Sequence, residues 1–271
     1  MPQLPVRNLV MHFEDWGQGQ GVVCLPAGAA PGSQWKGLGA ALGERYRVLA
    51  PDFPGDGRTP RPADLFSSSV LDLETEVTVA LIRHVGAPVH VVGHSYGGVQ
   101  ALRVASRLPE LVRSVVLLEP VAMDVLVVEG RLGEHPDLVD MTERCGQALQ
   151  RDDEAEAARA FCGYWLQPVP WEVLPPNNRA AIAGNIRKVY RGWEEIFALP
   201  DQRERYAAIP APTLMVRGDA GPRCARWVTE RLGELIPMAT LTTIPGAGHM
   251  LPMTHPGAVH EAILAHLRAW S

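Results

Sequence analysis

The segment Val89–Gly98 constrains this chain most, because it joins an apolar strand pattern directly to Gly-His-Ser-Tyr-Gly-Gly and then to a helix-compatible run. A Gly-x-Ser-x-Gly pattern between a strand and a helix is typical of a nucleophile elbow, a sharp turn that exposes a serine hydroxyl above the edge of a sheet. Such a turn brings backbone so close together that Gly93 and Gly97 must lack a Cβ atom. The amino end of the following helix favours negative charge at the turn. The pattern therefore predicts that Ser95 is a nucleophile.

The two neighbours of the serine receive different interpretations. The elbow turns the side chain of His94 away from Ser95, so we interpret His94 as a packing residue and not as the base. Tyr96 matters through its backbone N–H, which such a turn directs at the oxygen that becomes negatively charged during acyl transfer.

Strand-like and helix-like segments alternate on both sides of the elbow. The strand-like segments are Val6–Phe13, Gly21–Leu25, Arg47–Ala50 and Val115–Leu118, and the helix-like segments are Gln34–Leu42 and Val70–His84. This alternation predicts an α/β fold with a mostly parallel sheet and helices on both faces.

Residues 124–206 break the alternation, because no β-rich run occurs there. Four segments of this region are predicted to be helices: Asp137–Gln150, Asp153–Leu166, Pro176–Arg191 and Trp193–Leu199. Strand patterns resume at Thr213–Val216 and Thr240–Ile244. The sequence therefore predicts a helical insertion between two strands of one sheet.

Four further segments, in the expected order, carry a resemblance to the α/β-hydrolase superfamily over nearly the whole chain. They are the loop Asp52–Thr59, the penultimate strand Pro212–Gly218, the histidine loop Ile244–Met250 and the pair His255-Pro256 that opens a last helix. The resemblance implies an eight-stranded sheet, an α/β-hydrolase core of residues 1–123 and 207–271, and a cap subdomain of residues 124–206. It also implies that His249 is the general base.

The acid partner of the histidine departs from the family pattern. Relatives usually carry an aspartate three residues beyond the glycine that ends the penultimate strand, and that position is Gly221 here; Asp219 lies two residues too early. Glu119 follows the strand Val115–Leu118, at a spacing from Ser95 similar to that in certain haloalkane dehalogenases and zearalenone-type lactone hydrolases. A carboxylate after four buried apolar residues is costly without a partner, and a catalytic histidine would be one. We favour Glu119 as the acid and keep Asp219 as the alternative.

The oxyanion hole requires two backbone donors. Tyr96 is predicted to supply one. The resemblance places the other in the loop after an early strand, where relatives read His-Gly and this chain reads Pro-Ala-Gly. Alignment on Trp35 puts Gly28 at the donor position, with Ala29 as the neighbouring alternative.

Composition excludes several classes of protein. The net charge is −5, which gives no basic footprint for nucleic acid. The four cysteines lack the C-x-x-C spacing of a metal or redox site, so we predict buried thiols in a reducing compartment, no metal and no cofactor. The amino terminus resembles no signal peptide and no segment is long enough to span a membrane, which predicts a cytoplasmic protein. The oligomeric state is left open, with a homodimer as one option.

Aromatic residues are concentrated in the insertion: Tyr164, Trp165, Trp171, Tyr190, Trp193 and Phe197. Most of them are expected to pack helices together, and Trp165 and Trp193 are predicted to line an apolar substrate pocket. The insertion carries no dense basic cluster for a phosphate group. These features predict cleavage of an ester or lactone of an apolar or aromatic small molecule through an acyl-enzyme.

Other activities use the same serine and histidine pair. The alternatives on this fold are C–C bond hydrolysis, cofactor-free dioxygenation, hydroxynitrile lysis and acyl transfer to an alcohol or amine. A ligand-binding receptor with little turnover is an alternative of a different class. Activity on a simple nitrophenyl ester distinguishes ester hydrolysis from C–C bond hydrolysis, dioxygenation and hydroxynitrile lysis, and tight ligand binding without turnover would indicate the receptor. The sequence does not distinguish acyl transfer, because deacylation by an alcohol or amine uses the same residues.

Overall fold

A computed structural model describes residues 2–167 and 169–271 of the chain. The strands are β1 (Gln3–Val6), β2 (Leu9–Trp16), β3 (Gln20–Leu25), β4 (Tyr46–Pro51), β5 (Val89–His94), β6 (Val112–Leu118), β7 (Thr213–Gly218) and β8 (Ala239–Ile244). They form one sheet in the order β1-β2-β4-β3-β5-β6-β7-β8. Every pair from β4 to β8 along this order is parallel, and the β1–β2 and β2–β4 pairs are antiparallel. The predicted α/β-hydrolase sheet of eight mostly parallel strands is therefore confirmed.

Helices flank the sheet and fill the segment between β6 and β7. The helices are α1 (Lys36–Leu42), α2 (Val70–Val85), α3 (Tyr96–Arg107), α4 (Asp124–Val128), α5 (Pro136–Gln150), α6 (Glu154–Trp165), α7 (Pro176–Phe197), α8 (Arg203–Ala207), α9 (Arg223–Leu235), α10 (Leu251–Thr254) and α11 (Pro256–Ala269). The insertion contains α4 to α8 and no strand among its described residues. The helical character predicted for this region is present, and its division from the core as a cap subdomain stays a prediction.

The central strands are buried on both faces, which explains why their sequences are mostly apolar. Successive side chains of a strand point to opposite faces. Val91 accordingly belongs to the apolar cluster that includes residues of α2, α3 and α9, whereas Val92 belongs to the cluster that includes residues of α1 and α11. These two layers fix the sheet and hold the loops at the carboxyl ends of its strands, where β5, β6 and β8 are followed by the residues of the site.

Two predicted elements differ from the structure. The strand predicted over residues 6–13 is interrupted, because the chain turns at Arg7, where φ is 52°. Residue 6 ends β1 and residues 9–13 belong to β2, and the two strands pair as an antiparallel hairpin. The break predicted near Gly192 was wrong, because α7 is continuous. A Cβ atom at position 192 would lie 3.2 Å from Cε2 of Tyr96, so the glycine allows α7 to cross the elbow tyrosine closely. Close packing, not a helix end, explains this glycine.

None of the helices in the described part of the chain, residues 2–167 and 169–271, has the length and apolar character needed to cross a membrane.

Strand β5 carries two buried histidines whose pKa values are low. His90 bonds Ser114 Oγ through Nδ1 at 2.7 Å, and burial lowers its pKa to about 4. Burial, with the nearby His249, lowers the pKa of His94 to about 3. Both values lie below the 6.5 of an ordinary histidine, so the unfolded chain takes up protons first as the pH falls. The stabilisation is therefore complete above about pH 6.5 and is lost as the pH falls toward 4 and 3.

We expect the free energy of unfolding to fall by roughly 1–2 kcal/mol for each of these histidines between pH 7 and pH 5. Urea titrations at the two pH values measure this change. His90→Gln removes one of the two groups, and its stability should depend less steeply on pH. An equal dependence in both proteins would contradict the account.

Candidate active site

The elbow has the strained backbone that the sequence pattern predicts. Ser95 lies between β5 and α3 with φ 55° and ψ −117°, a conformation that costs energy for a non-glycine residue and is found at functional sites. A Cβ atom at Gly93 would collide with the carbonyl oxygen of Gly97, and one at Gly97 would collide with that of Leu25. The Ser95 N–H donates to the Leu118 carbonyl at 2.9 Å, which fastens the turn to β6.

Two hydrogen bonds connect Ser95, His249 and Glu119. The Ser95 Oγ lies 2.9 Å from His249 Nε2, and His249 Nδ1 lies 2.8 Å from Glu119 Oε2. Because the carboxylate can only accept, Nδ1–H donates to it, which leaves Nε2 free to accept the serine proton. Ser95, His249 and Glu119 are 8%, 2% and 0% exposed. The structure thus brings together the three residues favoured from the sequence.

Glu119 is held in place by the strand beyond it. Its backbone has φ 41°, and its second carboxylate oxygen accepts the Gly218 N–H at 2.8 Å. A Cβ atom at Gly221, where relatives usually carry an aspartate, would lie 3.2 Å from Oε1 and 3.3 Å from Oε2 of Glu119. The Glu119 carboxylate therefore lies next to position 221, where the side chain of the usual aspartate would begin.

Asp219 is exposed and serves a different contact. Its Oδ1 accepts the Gly246 N–H at 2.7 Å. In the same region Ala220 N–H donates to the Ala247 carbonyl at 3.0 Å. Asp219 thus ties the loop after β7 to the loop that carries His249, and the structure does not bring its carboxylate to the imidazole.

His94 supports the backbone of His249, a role beyond the packing predicted for it. Its Nε2 lies 2.9 Å from the His249 carbonyl oxygen and its Nδ1 lies 3.1 Å from Gln34 Nε2. Since a carbonyl only accepts, Nε2 carries the proton and Nδ1 accepts from the amide. The low pKa of His94 keeps this neutral arrangement. The position of His94 next to the elbow serine was the available sequence signal for this role. The role could not be predicted from it, because the partner His249 lies 155 positions away along the chain.

The backbone N–H groups of Gly28, Ala29 and Tyr96 lie near the serine and have no acceptor within the described residues. Tyr96 begins α3, so its N–H has no partner in the helix. Gly28 and Ala29 form the centre of a turn closed by Ala30 N–H and the Ala27 carbonyl at 3.1 Å, with Ala29 at φ 61°. All three residues line one cavity with Ser95. The second oxyanion donor, Gly28 with Ala29 as the alternative, stays a prediction.

That cavity has a volume of about 150 Å³ and is enclosed by core and insertion residues together. Trp165 and Trp193 both line it. The centroid of the Trp165 ring lies 4.4 Å from that of the His249 ring, and its Nε1 is buried without a partner among the described residues. The ring of Trp193 packs 5.7 Å from that of Trp165, and its Nε1 donates to Thr142 Oγ1 at 3.2 Å. Most of the remaining wall is aliphatic, which suits an apolar molecule.

A buried polar cluster that sequence reasoning missed forms part of the same wall. Lys188 of α7 donates to Asp56 Oδ2 and, at 3.2 Å, to Glu74 Oε1, and the Tyr96 hydroxyl donates to Glu74 Oε2. Burial raises the pKa of both carboxyl groups against the opposing attraction of the lysine. Burial would lower the pKa of Lys188, but its two acidic neighbours outweigh this and raise it. The only sequence signal was Asp56 within the loop Asp52–Thr59.

Within residues 2–167 and 169–271, no group of three or more His, Cys, Asp and Glu side chains is arranged to hold a metal ion. All four cysteines are buried and unpaired with one another, and burial raises the pKa of Cys145, Cys162 and Cys224 to about 12.

The fold and the site define an α/β-hydrolase. The model of the alpha/beta hydrolase family matches residues 22–262, and the chain belongs to that family. It is 26% identical to the putative carbamate hydrolase RutD of Azorhizobium caulinodans, over 97% of each chain. It is 23% identical to the pimeloyl-[acyl-carrier protein] methyl ester esterase of Nitrosomonas europaea, over 91% of this chain and 95% of that one. The enol-lactonase of Burkholderia xenovorans LB400 superposes with a TM-score of 0.77 at 18% identity, over 98% and 100% of the two chains.

Gly97→Ala should lower the free energy of unfolding by about 2–3 kcal/mol, because the new methyl group must displace the backbone of β3. Gly184→Ala, at an exposed position of α7 with open space around it, is the matched control and should raise stability by about 0.5–1 kcal/mol. Urea titration of both variants measures the difference. Equal effects would show that the elbow does not require glycine at position 97.

Proposed function

We propose that this α/β-hydrolase cleaves a carboxylic ester or lactone of an apolar or aromatic small molecule through an acyl-enzyme. Ser95 is the nucleophile, His249 is the general base and acid, and Glu119 is the carboxylate that orients the histidine. The observation that carries the proposal is the buried pair of hydrogen bonds from Glu119 through His249 to Ser95 at a cavity wall.

Acylation begins when Ser95 Oγ attacks the carbonyl carbon and His249 Nε2 takes its proton. The carbonyl oxygen becomes negatively charged, and the N–H groups of Tyr96 and Gly28 donate to it, with Ala29 as the alternative second donor. The negative charge of Glu119 stabilises the imidazolium that forms. His249 then gives the proton to the leaving oxygen, and the alcohol departs, or stays attached when the substrate is a lactone.

Deacylation repeats these steps with water as the nucleophile. His249 removes a proton from water as it attacks the acyl carbon, and the same backbone donors stabilise the second tetrahedral intermediate. Collapse of this intermediate returns the proton to Ser95 Oγ and releases the carboxylic acid. Atoms and protons balance with water as the only co-substrate.

The assignment of Glu119 over Asp219 is supported by geometry and by electrostatics. Glu119 contacts the imidazole at 2.8 Å in a fully buried position, where a charge interaction is strong. Asp219 is exposed, and its carboxylate accepts the Gly246 N–H. An aspartate or glutamate must reach Nδ1 to hold the tautomer, and Glu119 meets this requirement.

The ester or lactone class is supported by the cavity and by the relatives. The wall is mostly aliphatic and aromatic, with the ring of Trp165 tilted against that of His249. The indole N–H of Trp165 has no partner within the described part of the chain and is available for a substrate oxygen. The names of the relatives describe a carbamate, a methyl ester and an enol-lactone, which share an acyl carbon bonded to oxygen. Such a carbon is the electrophile that the serine and two N–H donors suit.

We expect a fluorophosphonate probe to label the protein once, and Ser95→Ala to abolish the labelling. Intact-protein mass spectrometry detects the added mass, and hydrolysis of 4-nitrophenyl butyrate measures turnover in parallel. Ser106→Ala, in the same helix that follows the elbow, is the control and should be labelled like the unmodified protein. Absence of labelling and of turnover in the unmodified protein would contradict the proposed function and favour a ligand-binding receptor.

A further inference from the structure

An unpaired carboxylate oxygen is buried in the wall of the cavity. Asp56 is 1% exposed and lines the cavity that contains Ser95. Its Oδ2 accepts from Lys188, whereas its Oδ1 has no hydrogen-bond partner among residues 2–167 and 169–271. A buried carboxylate oxygen without a donor is unfavourable, so a native protein retains one where a ligand or water supplies the donor.

Lys188 leaves a donor available beside this acceptor. It is 4% exposed and lines the same cavity. An ammonium group carries three N–H donors, and within the described residues those of Lys188 reach two acceptors, Asp56 Oδ2 and Glu74 Oε1. Glu74 has no free oxygen, because its Oε2 accepts from the Tyr96 hydroxyl. The cluster therefore has one free acceptor and one free donor, on two residues that are bonded to each other.

The chemistry of this pair discriminates among ligand groups. A hydroxyl group can donate to Asp56 Oδ1 and accept from Lys188 Nζ at the same time. A carboxylate can only accept, and it would meet two acidic side chains and one lysine. An ammonium can only donate, and it would lie against Lys188. An apolar group leaves the carboxylate oxygen unpaired.

We propose that Asp56 and Lys188 form a binding subsite for a hydroxyl group of the substrate, which makes the substrate a hydroxylated ester or lactone. This inference rests on the proposed function of the Ser95 site and specifies its substrate further. Tyr96 connects the two parts of the site, because its N–H is the oxyanion donor and its hydroxyl bonds Glu74 in the cluster.

Matched esters test the subsite. Methyl 3-phenylpropanoate is compared with its 3-hydroxyphenyl, 4-hydroxyphenyl, 4-carboxyphenyl and 4-(aminomethyl)phenyl counterparts, and ethyl hexanoate with ethyl 6-hydroxyhexanoate. We expect at least one hydroxylated ester to exceed its parent in kcat/KM by tenfold or more. Equal values for all hydroxylated and parent esters, or a preference for the carboxylate or the ammonium, would overturn the proposal.

Substitutions at the subsite make the test specific. Asp56→Leu leaves Lys188 paired with Glu74, and the ratio of kcat/KM for hydroxylated over parent ester should fall to about 1, whatever happens to the absolute rates. Asp56→Ala is the second variant, should the leucine variant not fold, and its ratio should likewise fall to about 1, because alanine has no acceptor for the hydroxyl. Asp52→Asn is the control from the same loop, because the Asp52 carboxylate accepts backbone N–H groups of Gly32 and Arg58; its ratio should not change. A retained preference in Asp56→Leu would overturn the subsite.

Binding separates this inference from the proposed function. Calorimetry with Ser95→Ala should show tighter binding of the preferred hydroxylated ester than of its parent, and the difference should vanish in the Ser95→Ala, Asp56→Leu double variant. Absence of fluorophosphonate labelling and of all ester turnover in the unmodified protein would contradict the proposed function alone. Equal affinities of Ser95→Ala for the hydroxylated and parent esters would contradict the subsite alone.

Discussion

The hydrogen bond between Glu119 and His249 is the interaction on which the site depends. It joins the end of β6 to the loop after β8, and Glu119 also accepts the N–H of Gly218 at the end of β7. His94 holds the same loop by its bond to the His249 carbonyl. Burial makes these bonds strong, and it also makes any unpaired member costly. The sheet order matters because it places β5, β6 and β7 side by side, so that Ser95, Glu119 and Gly218 lie at one edge.

The insertion completes the cavity and is fastened to the core by buried charge. Lys188 of α7 reaches Asp56 and Glu74, and Glu195 of the same helix accepts from the N-terminal backbone of α2 at Leu71, at 3.0 Å. Burial of two carboxylates with one lysine is energetically unfavourable unless the second carboxylate has a further hydrogen-bond partner. A ligand hydroxyl supplies that partner in the account proposed above, so that one cluster positions the helix and selects the substrate.

The sequence pattern predicted those parts of the fold that depend on residues close together in the chain. The elbow at Ser95 follows from glycine sterics over five residues, and the parallel sheet follows from buried runs that alternate with helices. Glu119 was favoured because a carboxylate after a buried strand requires a partner, and because its spacing from Ser95 resembles that of some relatives. The Asp56–Lys188 pair could not be predicted in this way, since the two residues are 132 positions apart and meet only through the packing of α7. The helix end predicted at Gly192 was wrong for the same reason: the glycine is required by contact with Tyr96, which is distant in the sequence.

Exchange of the carboxylate tests the central claim most directly. We expect Glu119→Gln to lower kcat by roughly 10³–10⁴-fold while Asp219→Asn retains most activity, because only Glu119 contacts the imidazole. Adding Gly221→Asp to Glu119→Ala should recover a large part of the loss, since the Cβ position of residue 221 lies 3.2 Å from the carboxylate it would replace. Full turnover in Glu119→Gln together with its loss in Asp219→Asn would contradict the account.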